Sequence, residues 1–552
     1  ENERPAIGDG MRMRRTADIP MAAMWAFDTA KQTGPAPQYW SDIREAASVA
    51  HVYGQNLVAA ESLTAASSPW AFSPADLRPM IDMEFALGVN RPIIHTSVHQ
   101  PLDNAPGLSL FVFGQYFNRL DTWADYAKPW VTYISRNAYM LQQGRFAADV
   151  AYFYGEEAPL TALYAHAPSE DVPANNAFDY VNRDVITDLF TVDNGQLVTP
   201  SGQRYQLLYL GGSSRFMTLD VLTKLQTLVN AGATIAGQKP QASPSLKDDP
   251  QAFSRIADAL WSGNTGKGRI IVADSVQHAV EKAGVRPDFT ASTDREDSTI
   301  MFVHRKTPEQ DIYFYTNRKP HHETATLRFN VQAKSARHYN AVTGDITPLT
   351  VQQQAGYSLI ERELLPFDSG YIVFDHSTPS QAAFKVKNAT VVATLNQGWQ
   401  VEFQEGRGAP EQAMPYALGN WAESSVDGIK YFSGTASYSN TLTLKSAPAD
   451  NEQMILDLGE VKELAQVIIN GKDAGILWTP PYAMDIAEHL KAGDNTIEIK
   501  VTNLWVNRLI GDNQPEAEQT YTFTTINTYY ADAPLRESGL IGPVLLLSQT
   551  TE

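Results

Sequence analysis

Cysteine is absent from all 552 residues. No disulfide, thiolate nucleophile or Cys-ligated zinc is available to the chain. That absence leaves the compartment open. Positive charge is scarce: 43 Lys and Arg face 62 Asp and Glu, for a net charge of −19, and no basic run occurs. A binder of phosphate backbones concentrates Lys and Arg on one surface, so nucleic acid is excluded as a partner. No run of 18 apolar residues exists, and no helix is expected to span a membrane. There is no GxGxxG after a strand, no Walker motif, no GxSxG elbow and no HExxH, which removes the usual signals for dinucleotides, nucleotide phosphates, serine hydrolases and zinc peptidases. "GGSSR" at 211–215 lacks the spacing of a phosphate loop and reads as a turn. The opening residues, Glu1 to Pro5, carry neither an initiator Met nor a signal peptide, so the chain is expected to continue upstream.

What is present is length and aromatic, apolar sequence. Apolar residues make up 43 %, with 24 Tyr and 10 Trp. A single hydrophobic core stops growing near roughly 250–300 residues, so three or four domains are expected. Residues 1–202 alternate strand and helix. "LVAAES" reads as a strand ending on Glu61, "RPIIHTSVHQP" as a strand with a polar end, and "FAADVAYFYGEE" as a strand ending on two carboxylates. Ser73 and Pro74 open a helix that Gly88 stops, and Pro129 either starts or kinks the helix over 122–144. Strand–helix alternation with polar strand ends is the β/α pattern. Only about four strands are visible, so the expected fold is the C-terminal part of a (β/α)8 barrel whose other strands lie upstream, with an open doubly wound sheet as the competing arrangement.

Residues 203–290 read as a small parallel-sheet α/β domain of flavodoxin or amidotransferase type. From about 291 the apolar period changes to two. One β-sandwich is expected over 291–380 and a second over 381–552, where "INGKDAG" carries an Asn-Gly hairpin turn. The expected class is therefore multidomain, α/β plus β.

Cleaving a glycosidic bond takes two carboxyl groups, one to protonate the leaving oxygen and one to activate water or attack the sugar. Acids stand where strands should end: Glu61, Glu156 with Glu157, and in the following loop Asp171 and Asp179. A strand-end acid is just as readily solvated or a helix cap, and only a shared face would distinguish the two. His95 and His99 lie in a β-like segment and are read as pocket lining. Arg91, Gln100, Gln115, Arg119 and Arg136 are polar residues near the same strand ends that could hold hydroxyls or a uronate.

Several ordered stretches resemble glycoside hydrolase family 106, the α-L-rhamnosidases. They are "RTADIPMAAMWAF", "REAASVAHVYGQNLVAAESLT", "FALGVNRPIIHTSVHQP", "ISRNAYMLQQGRFAADVAYFYGEEAP" and "FDYVNRDVI", with "VIINGKDAGILWTPPYAMDI" and "VTNLWVNRLIGD" near the end. The last two are similar to a galactose-binding-like jelly-roll sandwich. The resemblance implies an inverting α-L-rhamnosidase with Glu61 as general acid and Glu156 as general base, Glu157 being the lesser choice. It implies a rhamnose subsite lined by Asn90, Arg91, His95, His99, Gln100, Glu157, Asp179 and Tyr180, and a calcium ion whose ligands it does not name. It also implies a rhamnose-containing oligosaccharide, polysaccharide or glycoside as partner, and a periplasmic or secreted bacterial location. The alternatives are another exo-glycosidase with similar sandwiches, a non-catalytic carbohydrate-binding protein, or a polysaccharide lyase.

Overall fold

The computed structural model describes residues 8–27, 37–65, 68–111, 113, 117–156, 171–263, 265–333, 335–376 and 389–550. The chain divides into two compact units: Glu1–Ser62, Ile81–Ile93 and Ser135–Ala383 form the first, and Leu63–Met80, Ile94–Ile134 and Phe384–Glu552 the second.

The first elements are α1 (Gly10–Arg14), β1 (Met21–Trp25), α2 (Pro37–Tyr53), β2 (Ala59–Thr64), α3 (Pro74–Leu87) and β3 (Arg91–Ile94). The three strands form one sheet in the order β1-β2-β3. Ala59 donates its N–H to the Pro20 carbonyl, and Arg91 donates to the Val58 carbonyl. The strands therefore start side by side and run the same way, which requires crossover connections of the kind α2 and α3 supply. Gly88 ends α3 at φ 116, and a Cβ there would lie 2.7 Å from the Ala47 Cβ, so both the turn and the packing demand glycine. Among the described residues no further strand joins this sheet and no closed barrel forms. The partial barrel expected over 1–202 is here a three-stranded parallel sheet.

Residues 41–50 of α2 are all buried, as a helix flanked on more than one side must be. Ile43, Ala46, Ala47 and Ala50 pack with Ala22, Met24, Ala60 and Val89 on the first sheet. Val49 and Val52 pack with Val150, Phe178 and Val181 of a second one.

That second sheet follows α4 (Lys128–Leu141), which carries Pro129 in its first turn, where the missing N–H costs nothing. Its strands are β4 (Val150–Phe153), β5 (Phe178–Val181), β6 (Leu207–Leu210), β7 (Thr234–Gly237) and β8 (Arg269–Ile271). They lie in the order β8-β7-β6-β4-β5, all parallel. Helices α5 (Leu219–Ala231) and α6 (Pro250–Trp261) connect β6 to β7 and β7 to β8, and α7 (Val276–Ala283) follows β8. β4, β5 and β6 are buried at every position, as a parallel sheet covered on both faces requires. Val150 pairs with Leu207 and Phe153 with Leu210. The boundary expected at 202/203 thus runs through one sheet, and β4 and β5 belong to the α/β domain rather than to a barrel. Sequence period could not show this, because a buried parallel strand reads the same in either fold.

The remainder of unit 1, Phe289–Asp375, forms a four-stranded and a six-stranded sheet. The short strand Arg145–Phe146 adds to the latter beside Ile300–Lys306. Their core includes Phe289, Tyr313, Phe329 and Phe374. Unit 2 has its own pair of four- and six-stranded sheets over 390–550, around Trp399, Phe403, Trp421 and Tyr438. Asn470 at φ 52 and Gly471 at φ 75 turn Leu464–Ile469 into Lys472–Leu477, the hairpin that the Asn-Gly pair encodes.

Candidate active site

β2 presents one acid in a favourable way. Five of its six residues are buried and Glu61 alone reaches solvent. Next to it, the Ser62 hydroxyl donates to the Ala60 carbonyl and to the fully buried Glu84. Leu63 then takes φ 64, a left-handed conformation that a bulky side chain adopts only when its surroundings over-determine it. The strand therefore leaves its regular pleat two residues past Glu61, which is the third of its six residues.

Glu156 stands two residues beyond Tyr154 on the exit from β4, and so on the five-stranded sheet, whereas Glu61 is on the three-stranded one. Its carboxylate is occupied. Oε2 accepts the Thr218 N–H at 2.6 Å and Oε1 accepts the Thr218 hydroxyl at 3.0 Å, while Arg183 Nε lies at 3.6 Å. Thr218 caps α5, and the adjacent Leu219 N–H goes to Asp248 at 2.7 Å. Glu156 thus helps to satisfy the orphan donors of a helix N-terminus. Burial pushes its pKa up, against the opposing pull of the Thr218 bonds and Arg183. Glu156→Ala is expected to lower stability by about 1–3 kcal/mol, the usual cost of losing hydrogen bonds to a buried charge, read as a shift in urea midpoint.

The other expected site residues separate into those the fold consumes and those it leaves accessible. Asp179 is completely buried. It accepts from His51 Nδ1 at 2.7 Å and the Tyr205 hydroxyl at 2.9 Å, joining α2 to the second sheet. Tyr180, also fully buried, sits edge-on to Tyr152 and Phe178, and burial raises its pKa. Neither can line an open subsite. Asn90 clamps the start of β3: Oδ1 takes the Val58 N–H, and Nδ2 donates to Asn56 and Leu141 carbonyls. That is the strand end opposite Glu61. Gln100 braces its own loop through two bonds with the Leu108 backbone. Asp171 accepts from Tyr209 and from Val276, the first residue of α7, and Arg136 holds the carbonyls of Ala341 and Val342. Arg119 donates to the Gln100 and Leu102 carbonyls.

Arg91 and His99 are exposed. His95 packs edge-on to Phe113, and among the described residues its buried Nδ1 has no hydrogen-bond partner. Glu157 and Gln115 lie outside the described residues. Among the described residues no three of His, Asp and Glu gather into a cation site.

Two charged groupings escaped sequence reasoning. Arg14 pairs with both Asp42 and Glu45 of α2, and burial is the main cause that pushes Glu45 up to about 7. Acids at i and i+3 beside the small-residue run Ala46-Ala47-Ser48 of α2 were the available signal. The other is His304, held between Asp288 and Asp311, which no spacing rule announces because the three come from different strands and loops.

A family description, alpha-L-rhamnosidase, of glycoside hydrolase family 106, matches residues 1–353. A solved structure, a rhamnosidase from Novosphingobium sp. PP1Y, is 46% identical with a TM-score of 0.93, covering 99% of this chain and 52% of that one. A protein of Formosa agariphila named "Putative beta-glucuronidase" is 26% identical, with 97% of this chain and 66% of that protein covered. The chain therefore spans about half the length of the solved relative and two thirds of the other.

Proposed function

The chain belongs to glycoside hydrolase family 106, the alpha-L-rhamnosidases, and from that premise we propose that it acts in the exo-cleavage of terminal α-L-rhamnose by inversion, with Glu61 as a catalytic carboxylate. The supporting observation is the setting of Glu61: the one solvent-reaching residue of β2, two residues before Leu63 takes the left-handed conformation. As general acid, Glu61 protonates the glycosidic oxygen while a second carboxylate draws a proton from the attacking water. Glu156 is the partner that the family resemblance implies. Its bonds to Thr218 favour a capping role instead, and the Glu156→Ala variant separates the two: a base loses most turnover, a cap loses stability. Arg91, His95 and His99 are each proposed singly as contacts to sugar hydroxyls; the unpartnered His95 Nδ1 is the kind of atom a hydroxyl satisfies.

The same proposal treats the three-stranded sheet as part of a catalytic barrel and the C-terminal sandwich as a galactose-binding-like jelly roll. It also takes a rhamnose-containing glycan as substrate, calcium as a ligand of unassigned residues, and a periplasmic or secreted location, where polymeric glycans are met.

The test is a panel of aryl glycosides with product stereochemistry followed by NMR. The protein is expected to cleave the α-L-rhamnoside and to release β-L-rhamnose first. The name of the Formosa relative makes the β-D-glucuronide the necessary competitor. A higher kcat/KM on the glucuronide, α-rhamnose as first product, or binding without hydrolysis would each overturn the proposal.

A further inference from the structure

Arg305 is 5 % exposed, and burial lowers its pKa to about 10. Its hydrogen bonds are all to neutral groups: Nε to the Gln143 carbonyl, Nη2 to the Gly144 carbonyl and to Asn56 Oδ1. Nη1 makes no hydrogen bond among the described residues, and it is not among the atoms sealed from solvent. Among the described residues it makes no ion pair with a carboxylate. A buried guanidinium without a counter-charge is an expensive arrangement.

Arg305 faces a cavity of about 210 Å3 within unit 1, which His51, Asn56, Arg145, Ser201 and Gln203 also line. Arg145 donates one bond, to the Ser201 carbonyl, and is largely exposed. His51 is oriented by its Nδ1 bond to Asp179, and its Nε2 makes no hydrogen bond among the described residues. Buried Arg44 adds a further positive charge nearby: Arg305 and Arg44 both disfavour protonation of His51. Asp179 is the nearby acid, and it is already shared among His51, Tyr205 and Gln203. In a chain of net charge −19, this pocket is locally cationic. Its walls come from the segments that precede β2, β4 and β6, so it lies at the amino ends of the strands, whereas Glu61 lies within β2 and does not line it.

We propose that this cavity is a binding site for a small oxyanion — phosphate, sulfate or the carboxylate of an acidic sugar — held by Arg305 and Arg145. The two guanidinium groups supply N–H donors to separate oxygens in charge-assisted bonds, and His51 forms part of the wall. Bound there, the anion ties together the loops at 54–56, 144–146 and 201–203 and so stabilises unit 1. The site does not depend on the role of Glu61.

The experiment is titration calorimetry of the full chain with sodium phosphate, sodium sulfate and sodium D-glucuronate, at ionic strength matched with sodium chloride. One saturable site per chain is expected, unchanged by Glu61→Gln. Arg305→Gln should abolish it. Because Arg305 also braces the backbone at 143–144 and the Asn56 side chain, Arg145→Gln serves as the folding-neutral variant and should weaken binding about tenfold. Tighter glucuronate marks a sugar acid as the natural ligand, and tighter phosphate or sulfate a free inorganic anion. Absence of saturable heat with all three, or equal affinity in Arg145→Gln, overturns the proposal.

Discussion

Glu61→Gln is expected to lower kcat on a rhamnoside with a poor leaving group by about 10²–10⁴-fold, the usual share of one general acid–base group, while the melting temperature stays within a degree or two. The substitution keeps shape and size and removes only the ionisable proton. Glu61 is half-buried on an otherwise buried strand, so the amide has room and solvent to satisfy it. The size of the loss across leaving groups tells which role Glu61 holds. A general acid is dispensable when the leaving group is a nitrophenolate, so the deficit should shrink steeply on the nitrophenyl rhamnoside. A general base is needed whatever departs, so an even deficit would move Glu61 to that role. A loss below tenfold on every substrate would remove Glu61 from the chemistry altogether.

The largest structural effect is expected at His304. It is 1 % exposed, with Nδ1 on Asp288 at 2.9 Å and Nε2 on Asp311 at 2.7 Å. Both ring nitrogens face carboxylates, so both carry protons and the ring is an imidazolium. Tyr313 stacks on it at 3.9 Å between centroids and donates its hydroxyl to Asp288, and His376 reaches Asp311 from the other side at 2.8 Å. His304→Ala leaves two buried carboxylates short of their shared cation. Breaking a buried pair in this way costs about 3–5 kcal/mol. The sandwich over 289–375 should therefore unfold at distinctly lower urea, followed by the tyrosine signal of that domain because a multidomain chain does not unfold in one step.

The same group sets a pH dependence of known sign. Burial favours neutral His304, but the charge of Asp288 and the bonds to both aspartates outweigh it, and the pKa is raised above 6.5. A raised histidine stabilises fully below its unfolded value and loses that stabilisation as pH rises through its folded value. Wild-type stability should accordingly fall on the alkaline side of 6.5, and His304→Ala should flatten that limb. Asp311, held below its ordinary value by His304 despite burial, contributes above about 3.8 and loses its contribution as pH falls through its lowered value. A change under about 1 kcal/mol in His304→Ala, with the alkaline limb intact, would falsify the ion-pair account.

Much of the architecture was legible because it is local. Period-two segments after residue 291 became sandwiches, Asn470-Gly471 became a hairpin, and Pro129 opened a helix rather than kinking one. These depend on side-chain alternation and on backbone preferences that a few neighbouring residues carry. Site membership was far less legible. Glu61, Glu156, Asp179 and Asn90 look equivalent in sequence, each a polar residue next to a strand. The fold gives them different work: Glu61 reaches solvent, Glu156 holds the start of α5, Asp179 binds His51 and Tyr205 inside the core, and Asn90 pins the opposite end of β3.

By itself, then, the sequence determined the classes of element, the family, and the exclusion of cysteine chemistry, since composition and short-range pattern suffice for those. Only the tertiary structure decided that β4 pairs with β6 rather than continuing the sheet of β2, because strand pairing is a contact between residues more than 50 apart and leaves no periodic trace. From that one pairing it follows that Glu61 and Glu156 stand on different sheets. The isolation of Arg305 and the enclosure of His304 were decided in the same way, by which distant groups came to surround each charge as it lost its water.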